Sequence, residues 1–299
     1  MLSFLLSVVG TVLSSFIVVL LATFIVLLLD FLFPSFSKWT RLLLFIVVIS
    51  VVLRPAFDQF IAIRDITHTV AMTFISVYPL LTASIMASGG TFGLLNFQPA
   101  MLLFANGIVV LSEKLLIPIL AAALLFDLLS RLQPAMAFTK LSELLRTGLL
   151  GAVSAIVAAY AIFITTGGTM SWALSGVTSE PIKELIKQNI PLIGSLMTDS
   201  LGAMGRYTSG ASVFIGGWLI MTIWTVALLP TLKTLVTAFL YRWTAALIEP
   251  FANEDITGTL DDIGKTLFVL CAISFLVAFA FIYTAIFSII LIKLMTSVK

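Results

Sequence analysis

The sequence predicts an all-α integral membrane protein of about eight transmembrane segments, two of them Pro/Gly-broken or re-entrant, organised as two internal repeats. Three observations predict it. Hydrophobic residues make up 61% of the 299 residues and charged ones 10%, more apolar surface than a water-soluble core of this size can enclose. Apolar runs of at least the roughly 20 residues that carry a helix across hydrocarbon recur along the chain. Prolines and small polar clusters also recur at near-constant spacing: Pro79-Leu80-Leu81 matches Pro191-Leu192-Ile193, and Ile117-Pro118 matches Leu229-Pro230, both at an offset of 112 residues. Leu141 to Thr147 then matches Leu260 to Thr266 at an offset of 119.

Residues 1–66 are expected to form N-terminal membrane helices and an interfacial segment. Leu2 to Leu29 carries no charge and lacks a basic leader region and a small-residue cleavage site, so it predicts a retained helix. Residues 42–62 form a second helix only if Arg54, Pro55 and Asp58 lie near its end. Residues 67–170 make the first repeat. Its opening segment carries Pro79 and stops at Ser88-Gly89-Gly90, which predicts a chain that enters the membrane and turns back. Residues 98–132 exceed one simple span and are interrupted by Glu113, Lys114 and Pro118, predicting two short helices with a tight turn. Leu141, Leu144 and Leu145 share a helical face opposite charged residues, as in an interfacial amphipathic segment, before a span from Leu149 to Thr165.

Residues 175–295 make the second repeat. Pro181 to Lys187 is a charged turn, Pro191 to Met204 is the counterpart of the Pro79 segment, 212–247 is broken at Pro230, and Thr266 to Leu294 closes the chain. The two inter-helix loops differ in sign. Arg131, Lys140 and Arg146 belong to the 131–147 loop, whereas 247–264 has no Lys or Arg and carries Glu249, Glu254, Asp255, Asp261 and Asp262. Placement on opposite sides of the membrane explains that contrast, making the repeats inverted provided each crosses an odd number of times; otherwise they are parallel.

Catalysis is not expected. One histidine, one cysteine and loop carboxylates do not converge as an acid, base and nucleophile set, and no cofactor or metal is implied. Gly264-Lys265-Thr266 lacks the upstream glycine of a phosphate loop and reads as a helix entrance. His68 beside Asp65 reads as an interfacial group, Cys271 as a small apolar residue, and Lys233 as a snorkelling lysine. A net charge of +2 with dispersed cations is too small to suggest a nucleic-acid partner, and none is expected. Ionisable residues inside apolar runs carry more weight, because hydrocarbon penalises each unless it is paired or wetted; these are Glu113 with Lys114, Asp127, Asp199, Arg206 and Lys233. Pro79, Gly89, Gly90, Pro191, Gly194 and Pro230 are the candidate cavity breaks, with Glu113, Lys114, Asp199 and Arg206 as their polar lining. Asp199 serves equally as a helix cap or a partner of Arg206. The 131–147 and 247–264 loops, through Arg131, Lys140, Arg146, Glu249, Asp261 and Asp262, are the candidate partner contacts.

Tyr241 to Pro250, followed by Leu260 to Leu267, resembles the C-terminal region of the stage III sporulation protein AE family. Ile190 to Gly194 with Thr198-Asp199, Leu141 to Leu150, and Pro79 to Gly90 resemble it too, so the similarity spans about residues 60–299, most specifically Pro250 to Leu267. Two features depart from the family pattern: a signal-like segment and an added region that usually precede the membrane core, and Gly202 where a second acidic residue is usual. The resemblance implies a multi-pass protein of the mother-cell membrane around the forespore. It also implies partners: an ATPase, ring-forming subunits and other stage III membrane proteins, joined in a secretion-like channel; a homo-oligomer is compatible with it. Three readings stand: a channel or permease component of that complex, a stand-alone secondary transporter of a small solute, or a non-conducting membrane scaffold.

Overall fold

The computed structural model describes backbone over 38–87, 92–132, 138–189, 191–250 and 254–297 with isolated positions between 17 and 32, and side chains mainly over 52–79, 99–131, 138–167, 217–250 and 254–290. Every described element is helical: α1 (Lys38–Ala87), α2 (Phe92–Leu111), a π-helical turn (Ser112–Leu116), α3 (Ile117–Leu132), α4 (Thr139–Asn189), α5 (Pro191–Ile248) and α6 (Glu254–Ser297).

Five helices among the described residues are long and apolar enough to cross a membrane, where the sequence predicted about eight segments: Val52–Pro79, Pro99–Arg131, Thr139–Gly167, Gly217–Ile248 and Glu254–Ile290. The difference lies in what proline does. The 98–132 run is one continuous helical stretch with a single candidate span, Pro99–Arg131, and not a helix pair with a tight turn. Pro118 has no amide hydrogen and its ring crowds the carbonyl four residues back, that of Lys114. The chain absorbs this by widening Ser112–Leu116 into a π turn and continuing as helix. Pro230 likewise lies inside α5, so 212–247 contains no turn. Pro191 begins α5, where a missing amide hydrogen costs nothing, and Pro191 to Met204 is simply the first part of that helix. Helix α1 runs through Pro79 to Ala87 without turning back there, while Gly89 and Gly90 lie outside the described residues.

The chain divides into two compact units, each drawing on three stretches. The first comprises Met1–Ile66, Ser112–Val153 and Leu228–Phe275; the second comprises Thr67–Leu111, Ser154–Ala227 and Leu276–Lys299. In the first unit, Leu120, Leu124, Ile263, Leu267 and Leu270 form the apolar core. Hydroxyls satisfy themselves locally there, as the absence of water requires. Tyr241 Oη donates to the Val52 carbonyl at 2.6 Å, Thr234 Oγ1 donates to Gln59 Oε1 at 2.9 Å, and the Thr231 and Ser274 hydroxyls bond at 2.7 Å. Gly264 permits close packing of α5 on α6: a Cβ there would lie 3.0 Å from the Ala238 carbonyl oxygen and 2.4 Å from Arg242 Cγ.

The second unit is aromatic. Phe104 stacks between Tyr160 and Phe163 at centroid distances of 5.1 and 5.0 Å, and Phe74 packs on Phe281 at 5.0 Å. The fully buried Tyr160 hydroxyl bonds Thr284. Outward positions in both units, such as Leu103, Leu144, Ile162 and Met221, are large and apolar, the surface a lipid-facing protein presents.

Candidate functional site

Three polar pairs four residues apart build the site in the first unit: Asp127 with Arg131 on α3, Ser142 with Arg146 on α4, and Asp261 with Lys265 on α6. Four-residue spacing puts both members of a pair on one helical face. The turn between α3 and α4 then brings two of these faces together. Ser130 Oγ accepts the Phe138 amide at 2.7 Å and the Ser142 amide donates to the Phe138 carbonyl at 3.0 Å, closing the turn. Across it, Asp127 bonds both the Ser142 hydroxyl and the Arg146 guanidinium. These residues are buried: Asp127 is 3% exposed, Ser142 1% and Arg146 7%.

This reverses the amphipathic reading of 141–146. Leu141 and Leu144 point outward while Ser142 and Arg146 point in. In water the leucines would be the buried face; against lipid, apolar groups can face outward at no cost and the polar face must find partners inside.

The second turn, between α5 and α6, supplies the opposite charges. Asp262 receives Arg131 Nη2 at 3.0 Å and lies 3.7 Å from Arg146 Nη1 and 3.8 Å from Lys265 Nζ. Asp261 pairs with Arg242 Nε at 3.0 Å and with Lys265 Nζ at 2.7 Å. Arg131 Nη1 also donates to the Glu254 carbonyl at 3.2 Å, in the first turn of α6. Its guanidinium occupies the space a Cβ at Gly258 would need, only 2.1 Å from Nη2, so any Cβ at 258 would push the guanidinium aside. Four cations and three carboxylates thereby join in a single network with one positive charge in excess.

The network overturns the placement of the two loops on opposite sides of the membrane. Arg131 and Arg146 from the first turn touch Asp262 from the second, so both turns lie at one end of the unit. Among the described residues, two candidate spans lie between the turns, Thr139–Gly167 and Gly217–Ile248. The charge contrast is instead complementarity within one end, and the α3–α4 and α5–α6 hairpins turn the same way.

Two clefts flank the network. One of about 590 Å³ is bordered by Arg131, Arg242, Trp243, Glu249, Glu254 and Asp261, and another of about 300 Å³ by Glu143, Arg146, Arg242, Lys265, Leu150 and Phe268. The Arg242 guanidinium lies 5.9 Å from the Phe268 ring centroid, a cation–π contact between α5 and α6.

Of the predicted partner-contact residues, Arg131, Arg146, Asp261 and Asp262 come together, while Lys140 and Glu249 are exposed. Of the predicted cavity residues, Glu113 and Lys114 fall in the π turn. Lys114 is exposed, and one Glu113 carboxylate oxygen is buried with no hydrogen-bond partner among the described residues. Pro79 is exposed on α1 and Pro230 is half-buried in α5. Gly194, Asp199 and Arg206 lie in α5, with their side chains outside the described residues. Ser142, Arg242 and Gly258 complete the site without having been singled out, and Lys265, read in the sequence only as part of a helix entrance, joins them; the four-residue spacing of the polar pairs is the signal that finds Ser142 and Lys265.

The fold and this site define a helical membrane protein whose two hairpins are held at one end by buried ion pairs. Residues 1–293 match the family described as stage III sporulation protein AE, and the chain belongs to that family. It is 23% identical over 214 residues to the stage III sporulation protein AE of Bacillus subtilis (strain 168), a match covering 72% of this chain and 54% of that protein. The matched region is thus about half the length of that curated relative. No solved structure matches the chain.

Proposed function

We propose that the chain is a channel- or permease-like component of the secretion assembly that links mother cell and forespore, seated as a multi-pass protein in the mother-cell membrane around the forespore. Family membership supports the sporulation setting, and five membrane-length helices support the seat. The observation that carries the conducting role is the polar seam inside the first unit, where Gln59, Thr231, Thr234 and Ser274 are all buried within candidate spans. Polar side chains at that depth face a bundle interior or a path. In this reading an ATPase supplies the energy, ring-forming subunits continue the conduit, and the chain performs no catalysis.

The ion-pair network favours a second reading, a non-conducting scaffold whose rigid charged end seats those subunits. Spore yield in a spore-forming host lacking its own copy separates the two. The channel reading expects Thr231→Val with Thr234→Val to lower yield at unchanged membrane level, while the scaffold reading expects that pair to be silent and Asp262→Asn to be damaging. Solute flux from the purified chain alone in liposomes would replace both with a stand-alone transporter.

A further inference from the structure

The two clefts beside the ion-pair network differ in charge. The larger is bordered by Arg131 and Arg242 against Glu249, Glu254 and Asp261, so carboxylates outnumber cations there. The smaller, about 300 Å³ and wholly within the first unit, is bordered by Arg146, Arg242 and Lys265 against Glu143 alone. The carboxylates that pair with those three cations, Asp127, Asp261 and Asp262, do not border it. Hydrogen-bond donors are left over as well. Arg242 engages Asp261 through Nε alone, at 3.0 Å, and its side chain is 48% exposed. Arg146, 7% exposed, keeps a buried Nε with no acceptor among the described residues.

Depth orders the rest of the lining. Helices α4 and α6 run inward from their turns, so a higher residue number on either lies further from the charged end. Glu143 comes one turn before Arg146, Leu150 one turn after it, and Phe268 and Val269 one turn after Lys265. Trp243, 67% exposed beside Arg242, marks the level of the headgroups, where indole rings collect. The cleft is therefore cationic at that level and apolar below it, the order of a phosphate and the acyl chain beneath it. A guanidinium grips a phosphate through paired N–H groups, and a phosphodiester brings the single negative charge that offsets the excess of the network. Basic pockets between membrane helices hold lipid headgroups in this way. We infer that the cleft binds one anionic phospholipid, its phosphate at Arg146, Arg242 and Lys265, an acyl chain along Leu150, Phe268 and Val269, and Glu143 accepting from hydroxyls of the headgroup. A free phosphate would use the same cations and leave the apolar wall without a role. The inference rests on α4, α5 and α6 crossing a membrane and is independent of whether the chain conducts.

Native mass spectrometry of the full chain released from detergent micelles tests it, with equal amounts of dioleoyl phosphatidylglycerol and dioleoyl phosphatidylcholine added. The expected result is one retained phosphatidylglycerol on each 32.4 kDa chain. Its preference over phosphatidylcholine should be about tenfold. Arg242→Gln with Lys265→Gln should abolish the preference. Thr147→Trp, which fills the cleft from an exposed position and keeps every charge, should expel the lipid without touching the network. Lys140→Gln removes an exposed cation that does not border the cleft and should change nothing. Glycerol phosphate at the same concentration should not displace the lipid. Equal retention of the two lipids, retention that survives Thr147→Trp, or an equal loss with Lys140→Gln would each overturn the inference. Displacement by glycerol phosphate would overturn it too, giving the cleft to a free phosphate.

Discussion

Replacing Asp262 by Asn keeps the side-chain shape and removes the charge that joins the two turns. Asp262 is close to three cations, but only the Arg131 contact at 3.0 Å is a hydrogen bond; those to Arg146 and Lys265, at 3.7 and 3.8 Å, are longer-range attraction. Breaking a fully buried pair costs about 3–5 kcal/mol, and a single hydrogen bond to a charged group contributes about 1.5–3. Arg131 is 20% exposed at its side chain and Asp262 13%, and Arg146 retains Asp127, so the lower range applies: a loss of about 2 kcal/mol. Equilibrium unfolding of the purified protein in mixed micelles reads it, in a cycle with Arg131→Gln. The two changes should be non-additive, with a coupling of about 1–2 kcal/mol. Additive losses would mean that the contact carries no energy and that the two turns are held together by something else.

Gly258→Ala places a methyl where the Arg131 guanidinium lies, so it should cost nearly as much as Arg131→Gln and add little to it in the same unfolding assay. Gly264→Ala meets a backbone carbonyl that cannot swing away and should destabilise by about 1–3 kcal/mol, with α5 and α6 separating first in hydrogen exchange. Thr234→Val leaves the buried Gln59 Oε1 without that hydroxyl and should cost about 1–3 kcal/mol, whereas adding Gln59→Leu should recover most of the loss. Asp127→Asn deprives the 7%-exposed Arg146 of its nearest carboxylate and should be the most damaging of the charge changes, about 3–5 kcal/mol by denaturant titration.

The membrane class and helical content were legible because 61% hydrophobic composition admits few other solutions. The segment count was not. Pro118 and Pro230 were read as turns by the rule that holds in water, yet a helix among helices can absorb a lost hydrogen bond by widening, as Ser112–Leu116 does. Leu141 and Leu144 misled for a related reason: their apolar face is set against lipid, not against the protein, so Ser142 and Arg146 became the interior. The sign contrast between the loops is legible in the sequence, but sign alone does not distinguish two sides of a membrane from two halves of an ion pair. Only proximity, Arg131 against Asp262, separates them.

The central claim is that both turns face one side of the membrane. Lys140 and Glu249 are exposed beside the first and second turns, so Lys140→Cys and Glu249→Cys, made singly on a Cys271→Ser background, can be labelled in oriented membranes with an impermeant maleimide. The account predicts that both cysteines label from the same side and neither from the other. Labelling from opposite sides would restore the inverted arrangement and leave the ion-pair network without a place in the folded protein.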